Sequence, residues 1–222
     1  MKKENLYNDL KRRILTLALE PGSSLDEVQL SEEYRISRTP LRDVFRQLAG
    51  EGYIDIVSNR GAFVAAMNYK TLRSFFMTAP MLYAAIGRLA AENAQPHQLE
   101  MLRAAQHEFR AAMIKEDAGG MVFWNDRFHG LMGEMAENPY LRPSYERLLI
   151  DHARISQTFY RPRQNQDRDN LELALSHHDA MIVALEAGDP EGMVELIRAH
   201  WALSRSNMEK YVYPDPLPLE GE

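Results

Sequence analysis

The 222-residue sequence contains no cysteine. Disulfides and thiolate-bound metal sites are therefore excluded, and a reducing cytoplasm is the compartment that fits. No apolar run approaches the ~20 residues needed to span a bilayer. The opening stretch "MKKENLYNDLKRRIL" turns polar too soon for a signal peptide. Internal repeats and low-complexity segments are missing too. So is any basic excess: the formal net charge is −6, which argues against a protein that coats nucleic acid indiscriminately. The apolar content, 45%, suffices for one large core or two modest ones.

The charge is unevenly spread. Residues 1–70 hold 11 Lys and Arg against 10 Asp and Glu, whereas the remainder holds 15 against 22. A small DNA-binding module on an acidic body is compatible with that split.

The hydropathy pattern changes along the same line. Leu6, Leu10, Ile14 and Leu17 recur at helical spacing before "EPG" ends the segment. "LDEVQLSEEYRI" reads as a short second helix with Asp26 as N-cap. A third starts at "SRTP", where Ser37 or Thr39 can cap and Pro40 suits the first turn. "YIDIV" and "AFVAA" around "SNRG" then predict a β-hairpin. Three helices and a hairpin make a winged helix-turn-helix. After residue 68 the pattern is helical throughout. Six amphipathic segments are expected near 69–94, 96–117, 119–136, 139–161, 168–187 and 189–211. Pro80 inside the first of these should kink or break it. The fold class is mainly α: a winged helix-turn-helix over 1–68, an all-helical bundle over 69–213, and a disordered acidic, Pro-rich tail over 214–222.

The third helix carries the first functional signal. At ~100° per residue, Leu41, Val44, Phe45 and Leu48 share one face, and Arg38, Thr39, Arg42 and Arg46 fall on the adjacent arc. Arginines at this spacing can simply solvate a helix, and their mutual repulsion costs a few tenths of a kcal/mol. In a winged helix-turn-helix the same arc faces the major groove, where Arg forks reach guanine edges and phosphates. Asn59, Arg60 and Gly61 would form the wing tip, where glycine lets backbone approach backbone closely.

The run "PGSSLDEVQLSEEYRISRTPLRDVFRQLAGEGYIDIVSNRGAFV" resembles the DNA-binding domain of GntR-family transcription regulators across roughly residues 21–64. The resemblance implies DNA contacts from Ser37, Arg38, Thr39, Arg42 and Arg46 on the recognition helix, and from Gly61 on the wing. Arg35 departs from the pattern, which has glycine between the two helices, so a left-handed conformation there would be strained.

In the body, His97, His107, His152 and His177 read as helix-surface or turn residues. The other three keep better company. Asn125 and His129 lie four apart in "WNDRFHGLM" and project from one face. His178 and His200 sit among apolar residues at core spacing. An inward imidazole needs a hydrogen-bond partner or a metal, and three imidazoles with an oxygen donor suit Zn²⁺, Ni²⁺ or Mn²⁺. The order of these residues, with "MAENPYL" and "ALEAGDPEGM", resembles the FCD effector domain of the FadR subfamily. Six body helices place it nearest the VanR-like branch.

That resemblance implies a metal held by Asn125, His129, His178 and His200 beside a site for a small carboxylate effector. Asn125 stands where Asp is usual and brings no charge. Ala79 and Tyr83 occupy positions where the subfamily commonly has Arg and Glu, and Arg88 or Arg154 would have to replace that arginine. The expected function is a ligand-responsive transcription regulator, a repressor, acting as a cytoplasmic homodimer on operator DNA and without enzymatic activity. Two other readings stand beside it: a helical metalloenzyme, and a body that serves only as a dimerisation platform without metal.

Overall fold

The computed structural model describes residues 2–160 and 165–212, so the expected disordered tail lies outside the described residues. Three helices open the chain: α1 (Lys2–Leu15), α2 (Glu27–Glu33) and α3 (Arg38–Glu51). α1 buries Leu6, Leu10 and Ile14, residues four apart on one face. Asp26 caps α2 by accepting from the backbone N–H groups of Val28 and Gln29. The stripe Leu41, Val44, Phe45 and Leu48 is buried in α3, as its spacing predicts. Gly52 ends that helix at φ 91°, a left-handed position suited to glycine. Arg35 turns the chain between α2 and α3 at φ 50°, the conformation expected to strain it.

The hairpin pairs β2 (Ile54–Val57) with β3 (Gly61–Val64), antiparallel, with Val57 opposite Gly61. One strand was not anticipated. β1 (Ser24–Leu25) adds to the other side of β3, giving the order β1-β3-β2. Two residues are too few to show alternation. What holds them is backbone pairing, Gly22 N–H to the Val64 carbonyl and Val64 N–H to the Ser23 carbonyl, each 2.9 Å.

Six helices form the body: α4 (Tyr69–Asn93), α5 (Pro96–Ile114), α6 (Ala118–Met135), α7 (Arg142–Phe159), α8 (Asn165–Glu186) and α9 (Pro190–Val212). Asn68 caps α4 by accepting from Thr71 N–H. Of the two outcomes expected at Pro80, a kink or a break, the break does not occur: α4 runs on through it. The helix packs along α9 and α6 and buries Ala79, Leu82 and Tyr83 around the proline, and this burial offsets the one backbone hydrogen bond that proline removes.

α7 serves both halves of the molecule. Its Ile150 is buried in the core of the winged helix, with Leu10 and Leu48. Gln157 Nε2 donates to the Leu15 carbonyl at 3.2 Å. Arg154, fully buried, donates through Nη2 to the Ala65 carbonyl at 2.7 Å and through Nη1 to Asp151 at 3.0 Å. The Arg147 side chain lies over Gly52, where a Cβ would collide with it.

Candidate DNA interface and metal centre

The recognition surface is exposed and cationic. Ser37, Arg38, Thr39, Arg42 and Arg46 all lie at the surface of α3, on the side away from its buried stripe. Arg38 has no ion-pair partner among the described residues. Arg42 is held by Glu27 of α2, Nη2 to Oε2 at 3.1 Å, and Arg46 by Asp43 at 2.6 Å. Both pairs are solvent-exposed, so they contribute little and yield readily to phosphate. Opposite them stands the wing tip, where Asn59 and Gly61 both take positive φ, 58° and 93°. The Arg60 guanidinium rests over the Phe63 ring, 5.5 Å from its centroid. A groove of about 340 Å³ runs between the two, with Arg42 and Arg46 on one wall and Asn59 and Gly61 on the other.

The second constellation lies inside the body. His129 of α6, His178 of α8 and His200 of α9 are buried, and each offers a nitrogen within 4.8 Å of the others. Asn125, one turn before His129, is 1% exposed, and neither its carbonyl oxygen nor its amide nitrogen has a hydrogen-bond partner. Both nitrogens of His129, Nε2 of His178 and Nδ1 of His200 are likewise buried and unpartnered. Unsatisfied buried polar atoms are rare in native proteins. The histidine nitrogens among them converge, and a divalent cation satisfies several at once.

The protonation state agrees. Burial pushes His178 down to about 3, and carries His129 and His200 well below the usual imidazole range, with neighbouring imidazoles adding to the effect. They are neutral at pH 7, as ligands must be. Gln106 fixes one tautomer. Its amide donates to the Leu175 carbonyl and to Asp179, which leaves its oxygen to accept from His178 Nδ1 at 3.2 Å. The Nε2 lone pair of His178 is thereby turned to the cluster. Phe128 stacks on the His178 ring, 4.2 Å between centroids and 11° from parallel. The donor set of three imidazoles and one amide oxygen fits Zn²⁺, Ni²⁺ or Mn²⁺.

His152 corrects the sequence reading, which put it on the surface. It is buried, its Nδ1 pairs with the Tyr83 hydroxyl at 2.8 Å, and its ring centroid is 4.9 Å from that of His129. The signal was available: Leu148 and Ile155 flank it at the same apolar spacing that marked His178. Tyr83 also packs on His129 and Tyr145, so the position expected to carry glutamate is filled by an aromatic that braces the cluster. Burial pushes His152 down to about 4.

Arg88 and Arg154 are committed elsewhere. Arg88 is exposed and pairs with Glu191 through both guanidinium nitrogens. Arg154 is held at the domain junction by Ala65 and Asp151. These placements count against both as effector anchors. Asp126, beside Asn125, faces away from the histidines, on the wall of a cavity between winged helix and body, and burial pushes its carboxyl up to about 6.

Comparison with known proteins identifies both halves of the chain. Residues 80–203, more than half the chain, match the FCD domain, and residues 2–64 match the bacterial regulatory proteins of the gntR family. The chain belongs to the GntR family of transcription regulators, with an FCD domain as its body. The HTH-type transcriptional repressor RspR of Escherichia coli K12 is 25% identical over 192 residues, spanning 79% of this chain and 84% of that protein. The galactonate operon transcriptional repressor of the same organism is 25% identical over 208 residues, 85% and 88% of the two chains. Among solved structures, E. coli McbR/YncC superposes with a TM-score of 0.78 at 21% identity, over 95% of this chain and 99% of that one, a likeness of fold. The metalloenzyme reading falls with this membership, since family and relatives are transcription regulators. No described helix is long and apolar enough to cross a membrane.

Proposed function

We propose that the protein is a cytoplasmic, homodimeric repressor whose hold on operator DNA responds to a small carboxylate bound at a metal in the body. In this reading residues 1–68 are the DNA-binding unit and residues 69–213 the effector and dimerisation unit. The observation that carries it is the convergence of unpartnered nitrogens from His129, His178 and His200, in a chain whose α3 presents exposed cationic side chains outward.

A metal there would supply an electrophilic open position for a carboxylate oxygen. The chain's own contribution is to hold neutral imidazoles in place, with Gln106 orienting His178 and Tyr83 orienting His152. Ala79 offers no cation in the first body helix, and Arg88 and Arg154 are paired elsewhere, so a carboxylate depends on the metal for its charge partner. One winged helix covers a few base pairs, and two-fold symmetry doubles the contacts. α7 touches both His129, through His152, and the winged-helix core, through Ile150, which supports a path from effector to DNA. Only a difference in effector affinity between two domain arrangements can shift DNA binding.

The test is fluorescence anisotropy on the DNA upstream of the protein's own gene and on scrambled DNA, at two salt concentrations, with and without Zn²⁺, Ni²⁺ or Mn²⁺ and simple organic acids. Preference that survives the higher salt, and changes with acid only when metal is present, is the expected result. Equal, steeply salt-sensitive binding to both DNAs would refute specific recognition. An acid response in metal-stripped protein would refute the role of the metal.

A further inference from the structure

We propose that the cavity between the winged helix and the helical body is a second ligand site, one that takes a small organic ammonium ion on the carboxylate of Asp126. The cavity measures about 680 Å³, large enough for a small metabolite, and lies apart from the three histidines. Its walls come from α1, the end of α3, α6 and α7.

Charge pairing along those walls points to the missing group. Lys11 sits 3.5 Å from Glu51, donates to the Tyr7 hydroxyl oxygen at 3.0 Å, and lies over the rings of Tyr7 and Tyr53 at 5.0 and 4.8 Å. Arg142 pairs with Glu146 at 2.7 Å, Arg147 with Asp151 at 3.3 Å, and Glu134 with Arg127 at 2.9 Å. Asp126 alone has neither an ion pair nor a hydrogen bond among the described residues. Asp126 is half-buried, so its carboxylate meets only the solvent of the cavity, and an ammonium ion entering there would find it unpaired. The complement of a lone carboxylate in a cavity whose other charges are matched is a single cation.

The shape agrees. Gly130, one turn after Asp126 on α6, lines the same cavity, and a Cβ built on it meets nothing within 4 Å. That missing side chain leaves room beside the carboxylate for the carbon body of an amine, with Tyr145 and Leu149 as apolar wall. An occupant would touch both halves of the molecule at once and act on their relative placement without reaching the histidines.

The experiment is thermal unfolding of the full chain with n-butylamine or putrescine, against n-butanol and ionic-strength-matched NaCl, at concentrations up to tens of millimolar. A ligand that binds only the folded protein raises the midpoint as its concentration grows. The expected result is an upward shift of several degrees with amine and none with butanol. It should disappear in Asp126→Asn, which keeps shape and removes charge, and in Gly130→Leu, which fills the space and favours the helix. His178→Ala should keep the shift, because an amine acting at the metal would lose its effect there. No shift in the unaltered protein would overturn the proposal. So would a shift retained in both cavity variants, or one lost in His178→Ala.

Discussion

Arg154→Met tests whether α7 joins the two halves of the molecule as a working linkage. The arginine is fully buried, and its guanidinium supplies a donor to the Ala65 carbonyl at 2.7 Å and a counter-ion to Asp151 at 3.0 Å. Breaking a buried ion pair costs about 3–5 kcal/mol when the remaining charge is stranded. Here Asp151 keeps Arg147 at 3.3 Å, so it is not stranded. The Ala65 carbonyl does lose its side-chain donor, worth about 1–3 kcal/mol for a buried group. Methionine keeps most of the side-chain stem in its packing. Together these place the loss near the lower end, about 3 kcal/mol, read by urea denaturation as a fall in midpoint at constant slope. Arg154→Met should cost less in an Asp151→Asn background than in the unaltered protein, because the partners share one interaction. The change in operator affinity on adding Zn²⁺, measured by anisotropy at fixed salt, should at least halve in Arg154→Met. A loss of stability under about 1 kcal/mol, or an unaltered metal response, would refute the reasoning.

Four further outcomes are expected. Arg42→Ala should weaken operator binding by about 1–3 kcal/mol and relax base preference; unchanged affinity would place the recognition surface elsewhere. Glu27→Gln frees Arg42 from its exposed pair, so operator affinity should rise slightly at low salt and converge with the unaltered protein at high salt; a fall would mean Glu27 itself faces the DNA. His178→Ala should lose bound metal, measured by mass spectrometry of protein purified without a tag or chelator, and keep its affinity for DNA; full occupancy would remove His178 from the ligand set. In metal-stripped protein, His178 and His152 are pushed down to about 3 and about 4 by burial, so the unfolded chain binds protons below pH ~6.5 that the folded chain refuses. Stability should then fall by about 2 kcal/mol per histidine from pH 7 to pH 5, and a flat profile over that window would show these imidazoles to be solvated.

Much of the fold was legible because it rests on local rules. Leu41, Val44, Phe45 and Leu48 had to share a face, Asp26 had to cap, and the breaks at Pro96 and "AGDP" fell where helices end. The two misreadings share a cause. β1 exists only because β3 offers an open edge, and α4 runs through Pro80 only because α6 and α9 bury the helix on either side of it. Neither partner can be seen from within the segment, so local signals were too weak to predict the strand and too strong in predicting the break.

The site divides along the same line. Asn125 and His129 were readable as a pair because both belong to one helix, and His178 and His200 because apolar neighbours declared them inward. His152 meets that same test, but its neighbours in "DHARIS" are mostly polar and mask it. Those polar letters are the informative part. Asp151 and Arg154 turn toward the winged helix while His152 turns toward His129, so one short stretch of α7 faces two interiors. A helix with two buried faces loses the amphipathic signature by which a single core is recognised. Where periodicity fails in a segment otherwise committed to helix, a surface position is therefore the wrong default. Histidine or arginine in such a segment should be tested as the contact through which one domain senses another.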